Sequence, residues 1–235
     1  MSSAPGTPLV PKESQIPGLR YVHYGCGHVA PATWENFDAS LTLRWERLPI
    51  LGRYTKNRNS KTGAMRRFPA NVRYGDIVGG LPVPDASCAG AYCAHILEHL
   101  SLEELRQALA NTARILAPGG IFRLSVPCLQ SAAEEYLAKL AAGDRSANHR
   151  FLEFTQLSRP TRTWRSMFYE RLKSSDHLYM WDAAGMGAEL EAAGFRDVRR
   201  ASIGDCEDPM FQKVEVGQEC RWTPGNLCLE ARRIG

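Results

Sequence analysis

The chain has 235 residues, 44% of them hydrophobic and 23% charged, with a net charge of +4. That balance suits one large α/β domain or two small ones, with ample material for a core. It excludes a bilayer-spanning segment, since no apolar run approaches roughly 20 residues, and the positive charge is too mild to imply nucleic acid by itself.

Residues 1–18 are rich in Pro, Ser and Gly and lack the apolar run of a signal peptide, so they read as a mobile tail. The seven cysteines are odd in number and show no C-x-x-C spacing. They suggest core residues in a reducing cytoplasm, not a disulfide framework. The first element is a short strand, Tyr21, Val22 and Tyr24, running into the bend Gly25-Cys26-Gly27. At the carboxyl end of such a strand, an open α/β sheet seats nucleotide-like ligands. Trp34 to Asp38 gives a second strand ending in an acid.

Residues 41–73 hold nine Lys or Arg against Glu46 alone. They read as a basic insert with one or two helical turns and a polar loop over 57–63. A third strand spans 72–77 and carries Asp76 and Ile77. Cys88 to Ala94 is small and apolar, as in a strand buried on both faces. Ser101 opens a helix with a capping box completed by Glu104, and Leu102, Leu105, Leu109 and Ala113 continue it to Leu116. Pro118-Gly119-Gly120 stops it, and 121–127 reads as a strand.

Residues 131–142 read as a helix, and 141–176 as a lid or substrate-binding insertion, aromatic and basic, with Arg150, Arg162 and Arg165. A helix over 182–194 with Gly194 past its end, a strand over 195–202, a helix-free loop over 204–223 and a strand over 227–231 complete the chain. The alternation predicts a single domain, 19–235, built on a mostly parallel sheet with helices on both faces. Its last two strands would form an antiparallel edge pair.

The set Tyr24-Gly25-Cys26-Gly27, Asp38, Gly75-Asp76-Ile77, His95-Ile96-Leu97-Glu98-His99-Leu100 and Leu116-Ala117-Pro118-Gly119-Gly120 resembles the class I S-adenosylmethionine (SAM)-dependent methyltransferases. It is most similar to bacterial members with a short G-C-G turn that serve polysaccharide or natural-product pathways. The resemblance covers residues 20–127 firmly and 177–202 loosely. It implies a Rossmann-like, seven-stranded sheet and SAM as cofactor. Gly25, Cys26 and Gly27, next to Tyr24, would pass under the methionine part. Asp38 would bind the ribose hydroxyls, Asp76 the adenine amine and the Ile77 amide the ring, while the segment from Tyr92 through Cys93 to His95 would wall the sulfonium. His28 stands where the family often has another small residue.

An oxygen acceptor needs a base. Among His95, His99, His149 and His177, the first candidates are His177 and His95. His95-x-x-Glu98-His99 also spells the H-x-x-E-H zinc pattern, but it straddles a strand end and a helix start, so no metal is expected. The expected reaction is O-methylation of a sugar or secondary metabolite in the cytoplasm, with N-methylation open. The arginines of the insertions suit an anionic or sugar-like small-molecule acceptor; nucleic acid is disfavoured, no membrane is expected and a homodimer stays open. The rival readings are a methyltransferase-like scaffold or partner subunit, and an NAD(P)-dependent oxidoreductase. The latter would carry G-x-G-x-x-G, whereas the glycine run here ends at Gly27.

Overall fold

The computed structural model describes residues 18–49, 57–58, 65–156, 177–215 and 225–235. Seven strands form one sheet: β1 (Arg20–Tyr24), β2 (Glu35–Asp38), β3 (Val72–Tyr74), β4 (Cys88–Ala94), β5 (Leu116–Pro127), β6 (Phe195–Arg200) and β7 (Asn226–Arg233). Their spatial order is β3-β2-β1-β4-β5-β7-β6. β1 to β5 pair in parallel, and β7 lies antiparallel between β5 and β6. The mixed sheet of the sequence reading is therefore present, with its last two strands as an antiparallel edge pair.

The order reverses about β1. The strands on its two sides leave a crevice at their carboxyl ends, which is where open α/β sheets bind ligands. α1 (Leu41–Glu46), α2 (Leu102–Ile115), α3 (Leu129–Ala141), α4 (Ala147–Phe154), α5 (Ala183–Ala192) and the single turn α6 (Gln212–Glu215) complete the fold.

Local chemistry explains the elements that frame this crevice. Ser101 caps α2 by accepting from the Glu104 amide, while Glu104 accepts from Ser101 N–H at 2.9 Å. Leu105, Ala108, Leu109, Thr112 and Ile115 form its buried stripe. All but Thr112 join Val22, Cys93, Phe122, Leu124 and Val126 in the main core. Each such Leu, Val or Phe contributes about 1.5–3 kcal/mol through burial. α5 starts at Asp182, whose carboxylate accepts from Gly185 N–H, and ends before Gly194 at φ +89°.

One charged side chain sits in the middle of the sheet. Arg123 on β5 is fully buried and donates to Glu215 at 2.7 Å, Asp205 at 3.0 Å and Glu230 at 2.5 Å. Glu230 is its direct cross-strand partner on β7. Three carboxylates thus satisfy one guanidinium that would otherwise be prohibitive to bury.

The structure corrects several boundaries. The third strand stops at Tyr74, so Asp76 and Ile77 lie in the turn beyond it. The stretch read as helix-free contains a 3-10 turn, Pro209–Phe211, followed by α6. Phe211 and Val214 fill a second core cluster with Tyr21, Trp34 and Tyr92. Asn57–Arg58 pairs antiparallel with Met65–Arg66, where a loop was expected. The Pro118-Gly119-Gly120 turn lies inside β5, where the β4 register shifts. The tail 1–17 and most of the lid, residues 157–176 with Arg162 and Arg165, lie outside the described residues.

The six described cysteines, Cys26, Cys88, Cys93, Cys128, Cys206 and Cys228, are buried free thiols, as the sequence reading expects of core residues. Burial pushes the Cys26 thiol up to about 12 and the Cys88 and Cys228 thiols up to about 11. Among the described residues, no helix is long and apolar enough to cross a membrane.

Candidate functional site

A cavity of about 870 Å3 opens at the carboxyl ends of β1, β2, β3 and β4. Of the residues singled out from sequence, Tyr24, Gly25, Asp38, Asp76, Ile77, His95, His99 and His177 line it. Cys26, Gly27 and Cys93 are not among its walls. Cys26 packs under α1 with Leu43, Phe68 and Val72, and Cys93 is in the main core. His149 is exposed on α4, away from the cavity.

Asp38 ties the bend together. Its Oδ2 accepts from Gly27 N–H at 3.0 Å and its Oδ1 from Ser40 N–H at 2.9 Å. Its backbone carbonyl accepts from Gly75 N–H at 3.2 Å. One residue therefore pins the β1 bend, the start of α1 and the end of β3. A carboxylate has about four lone-pair sites, so both oxygens keep room for a further donor. Asp76 Oδ1 accepts from Val78 N–H at 3.0 Å and stays exposed. Gly25 has φ +63°. A Cβ there would overlap Cγ1 and Cδ1 of Ile96. The bend thus needs glycine for its backbone and for Ile96, a reason the sequence did not reveal. A Cβ on Gly27 would meet nothing.

The opposite end of the cavity is built by the turn after β4. His95 follows Ala94 with φ +56° and donates its amide to Ser125 at 2.8 Å. The 3-10 turn Leu97–His99 then folds Glu98 fully inside. Glu98 Oε1 lies 3.2 Å from His95 Nδ1 and 3.9 Å from His99 Nε2. His177 reaches the same end, its ring centroid 5.2 Å from that of His99. Burial holds the His177 imidazole below its usual pKa, against the opposing pull of Glu98.

The segment carrying His177 is clasped to the sheet. Leu178 and Tyr179 donate their amides to the Glu98 carbonyl at 2.8 and 3.1 Å. Leu129 N–H donates to Trp181 at 2.8 Å, and Trp181 bridges Cys128. Glu98, Glu104, Ile96 and Gln156 also line the cavity, and the sequence reading assigned none of them to the ligand site. Glu98 stood inside the quoted His95–Leu100 motif, but nothing in its spacing marked it as buried.

The cleft fits an adenosyl sulfonium. Carboxylate acceptors stand at the ends of the neighbouring strands β2 and β3, a side-chain-poor bend follows the adjoining β1, and the volume is ample. The methyltransferase-domain family matches residues 48–124. A comparison with curated proteins finds no match.

Similar solved structures include a SAM-dependent methyltransferase from Thermotoga maritima described as a possible histamine N-methyltransferase. It is 14% identical, with 93% of this chain and 84% of that one covered at a TM-score of 0.46. A SAM-dependent methyltransferase from Archaeoglobus fulgidus is 16% identical over 92% and 87%, also at 0.46. One from Mesorhizobium loti is 18% identical over 92% and 91%, again at 0.46. Scores this low carry no weight beside the family match and the site. The chain thus matches the methyltransferase-domain family, whose members take SAM as cofactor, over residues 48–124, within a seven-stranded sheet that ends in an antiparallel pair.

Proposed function

We propose that the chain transfers the methyl group of SAM to an oxygen of a small or medium-sized acceptor of the sugar or secondary-metabolite kind. The observation that carries this reading is the buried Glu98 with His95, His99 and His177 at one end of the cavity that holds Asp38 and Asp76 at the other. In this reading Asp38 accepts from the ribose hydroxyls through its remaining lone pairs, and Asp76 accepts from the adenine amine with the Ile77 amide beside the ring. Gly25 lies beneath the methionine part, and Tyr24 and His95 bound the space near it. When bound, SAM supplies an electrophilic methyl on a sulfonium and leaves as S-adenosylhomocysteine.

The chain's own task is to hold the acceptor in line and remove its proton. His95 suits the second part. A carboxylate 3.2 Å from Nδ1 favours the proton there, and Nε2, buried and without a hydrogen-bond partner, is left to accept one. His177, kept neutral by burial, is the other proton acceptor at the cleft. A hydroxyl acceptor needs such a base, whereas a neutral amine already carries its lone pair.

The insertions suit a polar, anionic acceptor, although several insert arginines also fasten the fold. Arg47 donates to the Pro69 and Val72 carbonyls, and Arg73 pairs with Glu35.

The test is S-adenosylhomocysteine release over matched hydroxyl and amine acceptors. Turnover confined to amines replaces the oxygen reading. Calorimetry with SAM and with NAD checks the cofactor, and binding of SAM without turnover of any acceptor favours the scaffold alternative. His95→Asn, which tolerates the left-handed backbone, is expected to lower kcat by a larger factor than it weakens S-adenosylhomocysteine binding.

A further inference from the structure

Glu98 raises a question that proton transfer does not answer. Its side chain is fully buried, and neither carboxylate oxygen has a hydrogen-bond partner. Among the described residues its ion-pair neighbours are His95 and His99, with no Lys or Arg. A buried carboxylate in that condition calls for a cation.

Donor atoms of Glu98, His99 and His177 all lie within 4.8 Å of one another. The His177 Nδ1 is buried and without a hydrogen-bond partner. The sequence reading set metal aside because H-x-x-E-H straddles a strand end. The stretch is indeed a 3-10 turn, not a helical face. The fold instead takes its third donor from the far side of the lid insertion.

We propose that Glu98, His99 and His177 bind one divalent transition-metal ion at the acceptor end of the cleft. Two imidazoles with one carboxylate suit Zn2+ and its first-row neighbours, not Ca2+ or Mg2+, which prefer all-oxygen shells. Bonds of about 2.0–2.1 Å put tetrahedral donors roughly 3.3–3.4 Å apart, and small side-chain rotations close the remaining distance. Three protein ligands leave a position open toward the cavity. An acceptor hydroxyl ligated there is held in place and made easier to deprotonate. That use of the ion rests on the methyl-transfer reading; the binding of the ion does not. His177 then serves as ligand, and His95 remains as the base.

The full chain, stripped with a chelator and dialysed, is titrated with ZnCl2 by calorimetry and with CoCl2 by visible absorption. The expected result is one ion per chain, with Co2+ bands of the intensity that marks four- or five-coordination. His99→Ala and His177→Ala each weaken Zn2+ binding about 10-fold or more, while His149→Ala, on the exposed face of α4, leaves it unchanged. S-adenosylhomocysteine is titrated into the same samples. Its binding without zinc removes the metal site and spares the methyltransferase reading; zinc binding without it does the reverse. If the cleft variants fail to fold, the unsubstituted chain decides. Sub-stoichiometric zinc, weak octahedral Co2+ bands or an equal loss in His149→Ala each overturn the proposal.

Discussion

Gly25→Ala isolates why the β1 bend has no side chain. The backbone there has φ +63°, which costs a residue with a Cβ about 1–2 kcal/mol. The new methyl would also overlap Cγ1 and Cδ1 of Ile96, and overpacking of that kind costs about 1–3 kcal/mol. The sum is a loss of about 2–5 kcal/mol. Ile96→Ala removes both overlapped atoms, so the double variant recovers the overpacking share and keeps the backbone share. Gly27→Ala is the control. Its φ is +54° with open space around the Cβ position, so it pays only the backbone share. Urea denaturation of the parent and the four variants gives each value from the shift of midpoint at constant slope, and the coupling follows from the cycle. A Gly25→Ala chain within about 0.5 kcal/mol of the parent, or strict additivity with Ile96→Ala, refutes the reasoning.

Three further outcomes follow from the structure. Asp38→Ala should weaken S-adenosylhomocysteine binding by about 1–3 kcal/mol, the worth of a hydrogen bond to a charged group; calorimetry reads it, and unchanged affinity removes Asp38 from the site. Arg123→Met should cost about 3–5 kcal/mol by stranding buried carboxylates, and adding Glu215→Gln should return part of it, both read by urea denaturation. Burial pushes the Asp205 carboxyl up, but the Arg199 hydrogen bond, the Ser202 amide and Arg123 outweigh it and hold it below the usual range. A depressed carboxyl contributes stability that is complete above its unfolded pKa of about 3.9 and is lost as pH falls through the lower folded value. The urea midpoint should therefore drop below about pH 4, and Asp205→Asn should make that drop shallower.

Elements with strong local signals were legible from sequence. The capping box at Ser101, the buried strand Cys88–Ala94 and the strand leading to Gly25 stand where their residues put them. The 3-10 turn and α6 were not, because seven residues are too few for a helical period and only the packing of Phe211 and Val214 reveals them. Arg123 looked like an ordinary strand residue, since its partners arrive from two later elements. At the cleft, Asp38 could be read as the acid that ends a strand, whereas Asp76, read on the third strand, lies in the turn beyond it. The burial of Glu98 and its approach by His177 depend on a return of the chain that no spacing encodes.

The clasp of residues 178–181 onto Glu98 and Leu129 divides the labour of the molecule. Whatever the stretch between those fasteners contains, its ends are delivered to fixed anchor points beside the cleft. On the proposed methyl-transfer reading, a lineage could exchange that stretch wholesale, and with it the molecule that is methylated, without disturbing the proposed donor site at Asp38 and Asp76. Recognition of the donor and choice of the recipient can thus drift independently within one chain.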